Sequence, residues 1–183
     1  MWPLQPLLQR EQRVIDIGTG AGFPGLPLTI ACPTWRLTLL DSTQKKVAFL
    51  GEAIEALGLV NAEPLAARAE AIGQQTQHRQ RYDLALVRAV APAAVCAEYA
   101  LPLLAVGGRA VLYRGQWSTA ETEQLSPILE QLGGKLLQVD AFATPLSQGD
   151  RHSIVVEKVS PTPKAFPRAV GVPAKHPLTA LHP

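Results

Sequence analysis

A chain of 183 residues has the size of one domain, or one domain with a tail, and its 47% hydrophobic and 17% charged residues exclude wholesale disorder. Cys32 and Cys96 stand far apart with no second thiol or histidine at ligand spacing, which argues against a disulfide scaffold, a zinc ribbon or any metal site and for a reduced, cytoplasmic setting. The net charge of +2 is uneven, because residues 158–183 hold Lys158, Lys164, Arg168 and Lys175 with no acid, together with six of the sixteen prolines.

Met1–Gln12 lacks an apolar stretch behind a basic start, so it does not read as a signal peptide. The β-branched run Val14-Ile15-Asp16-Ile17 ends at a glycine cluster, which predicts a buried strand and a tight turn. Gly25–Ala31 follows as a short helix, with Pro24 and Pro27 tolerable near its first turn. A second strand, Arg36–Leu40, ends at Asp41, and Ser42 or Thr43 is placed to cap a helix over Gln44–Leu57, whose Val47, Leu50, Ile54 and Leu57 share one face. Gly58 stops that helix. Ala62–Ala66 reads as a weak strand that Pro64 confines to a sheet edge.

Tyr82–Val87, ending at Arg88, is a fourth strand, and a helix from about Pro92 to Leu104 leads through Gly107-Gly108 to a fifth strand, Arg109–Tyr113. The stretch Leu84–Val106 is the most apolar, yet Arg88, Glu98, Pro92 and Pro102 make it a poor bilayer span. A helix over Ala120–Leu132 and two strands, Leu136–Phe142 and Ser153–Val159, joined through Gly149, close the pattern. Alternation of this kind predicts an α/β, Rossmann-like, mostly parallel seven-stranded sheet with helices on both faces and an antiparallel C-terminal hairpin. The boundaries are 1–159 for the domain and 160–183 for a basic, Pro-rich strap, which is either disordered or a phosphate-contacting segment.

The chemistry concentrates in Asp16-Ile17-Gly18-Thr19-Gly20-Ala21-Gly22-Phe23-Pro24-Gly25. Gly20, Gly22 and Gly25 satisfy a dinucleotide fingerprint, whereas the series from Asp16 resembles motif I of class I S-adenosylmethionine (SAM) methyltransferases. A plain Gly-rich turn is the third reading. Asp41, ending the second strand, suits the ribose hydroxyls of either adenosine cofactor, or simply caps the next helix. Asp16 favours a cationic sulfonium over a pyrophosphate. The sheet also closes in a hairpin, with no substrate domain of the kind dehydrogenases carry.

The block Ile15–Leu28 resembles the signature of the small-subunit rRNA guanine-N7 methyltransferases, the RsmG or glucose-inhibited division protein B family. Leu39-Leu40-Asp41-Ser42 with Lys45-Lys46 and Phe49-Leu50, Ala67-Arg68-Ala69-Glu70, Val87-Arg88-Ala89, Asp150–Val155, Pro167-Arg168 and Gly171–Lys175 resemble it too. The resemblance implies a SAM-dependent enzyme that methylates N7 of one guanosine in 16S rRNA or the small ribosomal subunit, acting as a monomer away from any membrane. It also implies roles for particular residues. Gly18, Gly20, Gly22 and Phe23 would border the cofactor, Asp41, Ser42 and Thr43 would hold its ribose, and Ala69 and Glu70 would flank its adenine. Arg88 would stand where cofactor and target meet, although a strand-end ion pair is its bland alternative. Arg151, His152, Arg168 and Lys175 would face RNA; a structural histidine and plain surface charge are the alternatives for the first two. Members of the family carry a longer helical region before the first strand, whereas Met1–Arg13 precede it here, so part of the RNA surface and of the sheet's cover is expected to be missing. None of His78, His152, His176 and His182 falls in the pocket loops, and no base is expected. The rival readings are an NAD(P)-dependent oxidoreductase, a non-enzymatic RNA-binding module, and a methyltransferase for another acceptor.

Overall fold

Apolar residues alternate along the central strands so that these feed two cores, one on either face of a single sheet. The computed structural model describes residues 11–143 and 149–179. Its strands are β1 (Arg13–Ile17), β2 (Arg36–Asp41), β3 (Ala62–Ala66), β4 (Tyr82–Arg88), β5 (Leu104–Arg114), β6 (Gly134–Ala143) and β7 (Asp150–Lys158). They lie in the order β3-β2-β1-β4-β5-β7-β6. Strands β1 to β5 pair in parallel, and β7 runs antiparallel between β5 and β6. The order reverses between β1 and β4, where a sheet of this kind opens a crevice at its carboxyl edge.

The helices are α1 (Gly25–Ala31), α2 (Gln44–Ala56), α3 (Ala69–Ile72), α4 (Ala93–Ala100), α5 (Thr119–Gln131) and α6 (Val172–Lys175). On one face, Val14, Leu37, Leu39, Leu84 and Leu86 pack with Leu26 and Leu28 of α1 and Leu50 of α2. On the other, Ile15, Ile17, Val87, Leu112 and Ile154 pack with Val95 and Cys96 of α4 and Leu125, Ile128 and Leu129 of α5. Both cysteines are buried free thiols.

The strand pattern agrees with the sequence reading, with β3 at the edge as Pro64 requires. Gly58 ends α2 at φ +62, with its N–H donating to Glu55 and that of Leu59 to Ile54. Three expectations are corrected. Leu57 lies beyond α2 and is 55% exposed rather than part of its buried face. The helix expected to reach Leu104 ends at Ala100, because Pro102 has no N–H to continue the ladder, and β5 already starts at Leu104. Thr43 precedes α2 but makes no side-chain cap; the Asp41 carboxylate accepts its N–H instead.

The basic, Pro-rich segment packs against the domain: within the described residues 160–179 it includes the single turn α6. Thr162 Oγ1 donates to the Leu132 carbonyl at 2.7 Å, and the Arg79 guanidinium donates to four carbonyls, those of Gly73, Thr162, Pro163 and Phe166. Phe166 is buried in the core beyond. Arg168 then pairs through Nε and Nη2 with Glu98 of α4, a carboxylate buried completely. Gly171 N–H donates to Glu70 at 3.0 Å. Lys158, also fully buried, donates to the carbonyls of Leu101 and Leu104, and burial pulls its ammonium down to about 8. His182 lies outside the described residues.

A buried carboxylate that loses its partner costs about 3–5 kcal/mol. Arg168→Ala, which strips Glu98 of its guanidinium, is therefore expected to lower the unfolding free energy by about that amount, read from the urea midpoint at constant slope. A loss below about 1 kcal/mol would place the pair in the class of exposed, weakly coupled ions.

Candidate functional site

Leaving β1, the chain turns at the carboxyl edge of the sheet, where the N–H groups of Gly18 and Thr19 donate to the Leu40 carbonyl of β2 at 2.8 and 3.0 Å. Gly18, Gly20 and Gly22 all have positive φ, but they face different surroundings. A Cβ on Gly22 would collide with Leu26 and Leu50, and one on Gly18 would stand 2.6 Å from Val90. In front of Gly20 the nearest atom is the Gly18 carbonyl at 4.0 Å. Packing demands the first two glycines, and the third leaves backbone open to a ligand.

Asp41 closes the turn from the neighbouring strand. Its Oδ2 accepts Gly20 N–H at 3.0 Å and its Oδ1 accepts Thr43 N–H at 2.9 Å, with Lys46 Nζ 3.8 Å away. Burial alone would raise this carboxyl, but those N–H groups and the Lys46 charge outweigh it and hold it below its ordinary value. Ser42 and Thr43 stand exposed beside it.

Asp16 is 1% exposed under the first turn of α1. Its Oδ2 accepts from Thr19 Oγ1 at 2.6 Å and from Gly25 N–H at 2.8 Å, and its Oδ1 has no partner among the described residues. Burial pushes this carboxyl up to about 6, against the pull of Thr19, Gly25 and the Arg88 charge. The same contacts count against a dinucleotide. The Gly22 and Phe23 amides donate to Thr19, the Leu26 amide donates to Gly22, and the Gly25 amide is taken by Asp16. A pyrophosphate needs free N–H groups at a helix start, and α1, seven residues long with Pro24 and Pro27, offers none of these.

Across the switch point, Arg88 ends β4 exposed, donating from Nε to the Phe23 carbonyl at 3.3 Å. Ala89 follows at φ +53, a conformation that non-glycine residues rarely hold, and Val90 then lies against Gly18. A cleft of about 570 Å³ opens beside Arg88. One wall is Pro24, Pro27 and Leu28; the other is built by the strand ends, with Tyr113, Arg114, Gly115, Phe142 and Arg151. Burial, with the Asp16 charge added, pushes the Tyr113 phenol up to about 12. The His152 ring meets the Gly115 carbonyl through Nδ1 at 2.7 Å, a structural contact at the cleft's edge.

The expected residues thus separate into groups. Gly18, Gly20, Phe23, Asp41, Ser42, Thr43 and Arg88 share the carboxyl edge around the glycine turn, and Gly22 packs beneath it. Ala69 is buried at the start of α3. The Glu70 carboxylate next to it points into the fold, accepting from Arg68 Nη2 at 2.8 Å, Tyr99 Oη at 3.3 Å and Gly171 N–H. Burial would raise it, and Arg68 with the Gly171 N–H holds it below its ordinary value. Arg151 reaches the cleft, Arg168 is committed to Glu98, and Lys175 is exposed at the end of α6. His78 pairs with the Tyr82 hydroxyl at 2.8 Å. Sequence reasoning missed Tyr113, Arg114 and Phe142; the one available signal was their place at strand ends. A larger cavity of about 950 Å³, lined by Gln12, Arg13, Trp35 and Asp83 among others, opens at the opposite edge of the sheet, away from the glycine turn. Among the described residues there is no cluster of three or more His, Cys, Asp or Glu that could hold a metal ion, and no helix is long and apolar enough to cross a membrane.

The model of the family described as rRNA small subunit methyltransferase G matches residues 3–154. The ribosomal RNA small subunit methyltransferase G of Synechococcus sp. (strain JA-2-3B'a(2-13)) is 57% identical over 166 residues, which are 91% of this chain and 64% of that protein. Its counterpart in Gloeobacter violaceus is 52% identical over 173 residues, 94% of this chain and 69% of that protein. The chain therefore spans about two-thirds of their length. Among solved structures, the antibiotic-resistance methyltransferase Kmr aligns with TM-score 0.67 at 15% identity, covering 81% of this chain and 87% of that one. M. jannaschii TYW2 in complex with AdoMet aligns with TM-score 0.62 at 16% identity, covering 81% of this chain and 70% of that one. Both likenesses concern the fold, the class I methyltransferase sheet with its antiparallel hairpin.

Asp16 supplies a test of the site's electrostatics. A carboxyl raised from 3.8 to about 6 in the fold holds a proton that the unfolded chain has released, so its contribution to stability is lost as pH rises between those values. Asp16→Asn keeps an acceptor for Thr19 and Gly25 and cannot ionise. Between about pH 4 and pH 7 the wild type should lose up to about 3 kcal/mol relative to this variant, measured by urea unfolding at both ends. A constant difference between the two proteins would show that Asp16 ionises without penalty.

Proposed function

Because the chain belongs to the rRNA small subunit methyltransferase G family, we propose that it transfers a methyl group from S-adenosylmethionine to N7 of a guanosine in 16S rRNA, free or within the small ribosomal subunit. The observation that carries this reading is the acid-floored glycine turn, with Asp41 fixed beside it and Gly20 open to a ligand. The unpartnered, buried Asp16 Oδ1 fits a cationic donor and would not fit a pyrophosphate. The cofactor, when bound, supplies the methyl group on a positively charged sulfur.

Each residue then has a share. Asp41, with Ser42 and Thr43, holds the ribose, since an ionised carboxylate can accept hydroxyl donors on its remaining lone pairs. Gly18, Gly20, Gly22 and Phe23 shape the wall beside it. Ala69 and Glu70 border the adenine through their backbone, because the Glu70 side chain is engaged elsewhere. Arg88 orients the meeting point of donor and target from the end of β4. Arg151, His152 and Lys175 face the RNA, and Arg168 serves it indirectly by holding the strap to α4. The enzyme acts as a monomer in the cytoplasm, where its ribosomal substrate is assembled.

No general base is required. Guanine N7 carries an unprotonated lone pair, so the transfer needs alignment and not proton removal, and alignment alone can contribute roughly 7–11 kcal/mol. Histidine chemistry is accordingly not invoked; His78 and His152 are held in local contacts.

The direct test is incubation with methyl-labelled SAM and unmodified small-subunit particles. Label mapped to N7 of one guanosine is the expected result, and label on another atom or none on RNA overturns the reading. SAM and not NAD should raise the melting temperature, because only a native-state ligand does so. Arg88→Ala should slow methyl transfer about a hundredfold, the size of effect that misplacement of reacting groups produces, while calorimetric SAM affinity stays within a few-fold. If affinity falls in proportion to turnover, Arg88 is a cofactor ligand and does not align the target.

A further inference from the structure

Four strand ends meet at one level of the carboxyl edge. Arg88 pairs in register with Tyr113, Arg114 with His152, and Phe142 with Arg151. The cleft above them therefore places three guanidinium groups, a phenol and a phenyl ring around one space of about 570 Å³, a volume suited to a small ligand. Phe142 is 38% exposed at one lip, and Phe23, 54% exposed, follows the glycine turn next to Pro24 of the facing wall.

We propose, on the basis of the methyl-transfer reading, that this cleft receives one unstacked purine nucleotide of single-stranded RNA, its base against Phe142 and Tyr113 and its flanking phosphates on Arg114 and Arg151. Charge and shape select this occupant. Sequence-specific RNA readers splay a base onto aromatic and arginine surfaces and hold the backbone with cations. The Tyr113 hydroxyl forms no hydrogen bond among the described residues and can meet a base edge. The acids nearby are outnumbered: Asp16 lies buried beneath, and Asp140 on β6, which accepts from Gln138 and Ser153, and the exposed Asp150 beside Arg151 stand against the guanidinium groups of Arg88, Arg114 and Arg151. Arg114 is pinned by one N–H to the Ala91 carbonyl at 2.6 Å, which orders it while leaving its other donors. Arg88 reaches the cleft from β4, whose end adjoins the glycine turn, so a base seated here lies beside the proposed donor site.

The experiment measures binding of a short single-stranded oligoribonucleotide, with guanosine at its centre, by fluorescence anisotropy in the presence of SAM. Phe142→Ala should weaken binding about tenfold, the size of one base–aromatic stack, and Phe142→Trp should retain it. Arg151→Gln should weaken binding and lower the salt slope by about one. Calorimetric SAM affinity should be unchanged in all three, and Val60→Ser, on a turn at the far edge, should behave as wild type. Oligonucleotide affinity of Phe142→Ala within twofold of wild type, no binding by the wild type, or a parallel fall in SAM affinity overturns the assignment. The two readings fail separately. Methyl transfer that Phe142→Ala leaves intact sinks the cleft alone, whereas cleft-dependent RNA binding without label transfer sinks the methyl-transfer reading and supports the cleft.

Discussion

Two carboxylates on adjacent strands shape the whole carboxyl edge. Asp16 and Asp41 lie two residues apart in register on the same face of β1 and β2, and each takes hold of the glycine turn from a different side. Asp16 binds the turn's beginning through Thr19 and its end through Gly25; Asp41 binds its middle through Gly20. An apolar strand end could make neither contact. A charged group accepting backbone N–H bonds is worth more than a neutral one, and these bonds also keep the turn in a left-handed path that only glycine holds cheaply. The cost is a desolvated charge at Asp16, which a cationic ligand relieves and an anionic one worsens. The preference proposed for a cationic cofactor thus rests on the same bonds that make the turn fold.

Glu70 and Glu98 play the corresponding part for the strap. Each is a buried acid in a helix of the opposite face, and each takes donors from chain that arrives much later: Gly171 N–H and the Arg168 guanidinium. An acid at such a depth persists only with partners. The strap is therefore part of the structure that makes α3 and α4 tenable, and α3 opens the segment proposed to border the adenine. Positive charge in this segment is engaged internally at Arg168 and remains outward at Lys164 and Lys175.

The sheet was legible in the sequence because its signals are local. A β-branched run ending in glycine, Pro64 at an edge, and Gly58 after α2 each state a backbone requirement within a few residues. The glycine turn and Asp41 were legible for the same reason. What escaped depends on distance along the chain. Arg168 meets Glu98 across 70 residues and Gly171 meets Glu70 across 101, so a Pro-rich basic tail read by composition looked solvated. Tyr113 and Phe142 escaped because an aromatic at the end of a strand looks like core until the neighbouring strand ends are known.

Ala89 ties these levels together. A residue with a Cβ held at φ +53 carries strain that its surroundings must outweigh. Here the strained turn comes between Arg88, bonded to the Phe23 carbonyl, and Val90, lodged against Gly18. Both ends of the turn therefore press on the loop that leaves β1, and the loop in turn is held by β2 through the Leu40 carbonyl. Relaxing Ala89 into an ordinary conformation would withdraw Val90 from Gly18 or Arg88 from Phe23. The base of the Arg88 side chain at the cleft is consequently held by backbone geometry as well as by its hydrogen bond to Phe23, which is the anchoring that the role proposed for this exposed arginine requires.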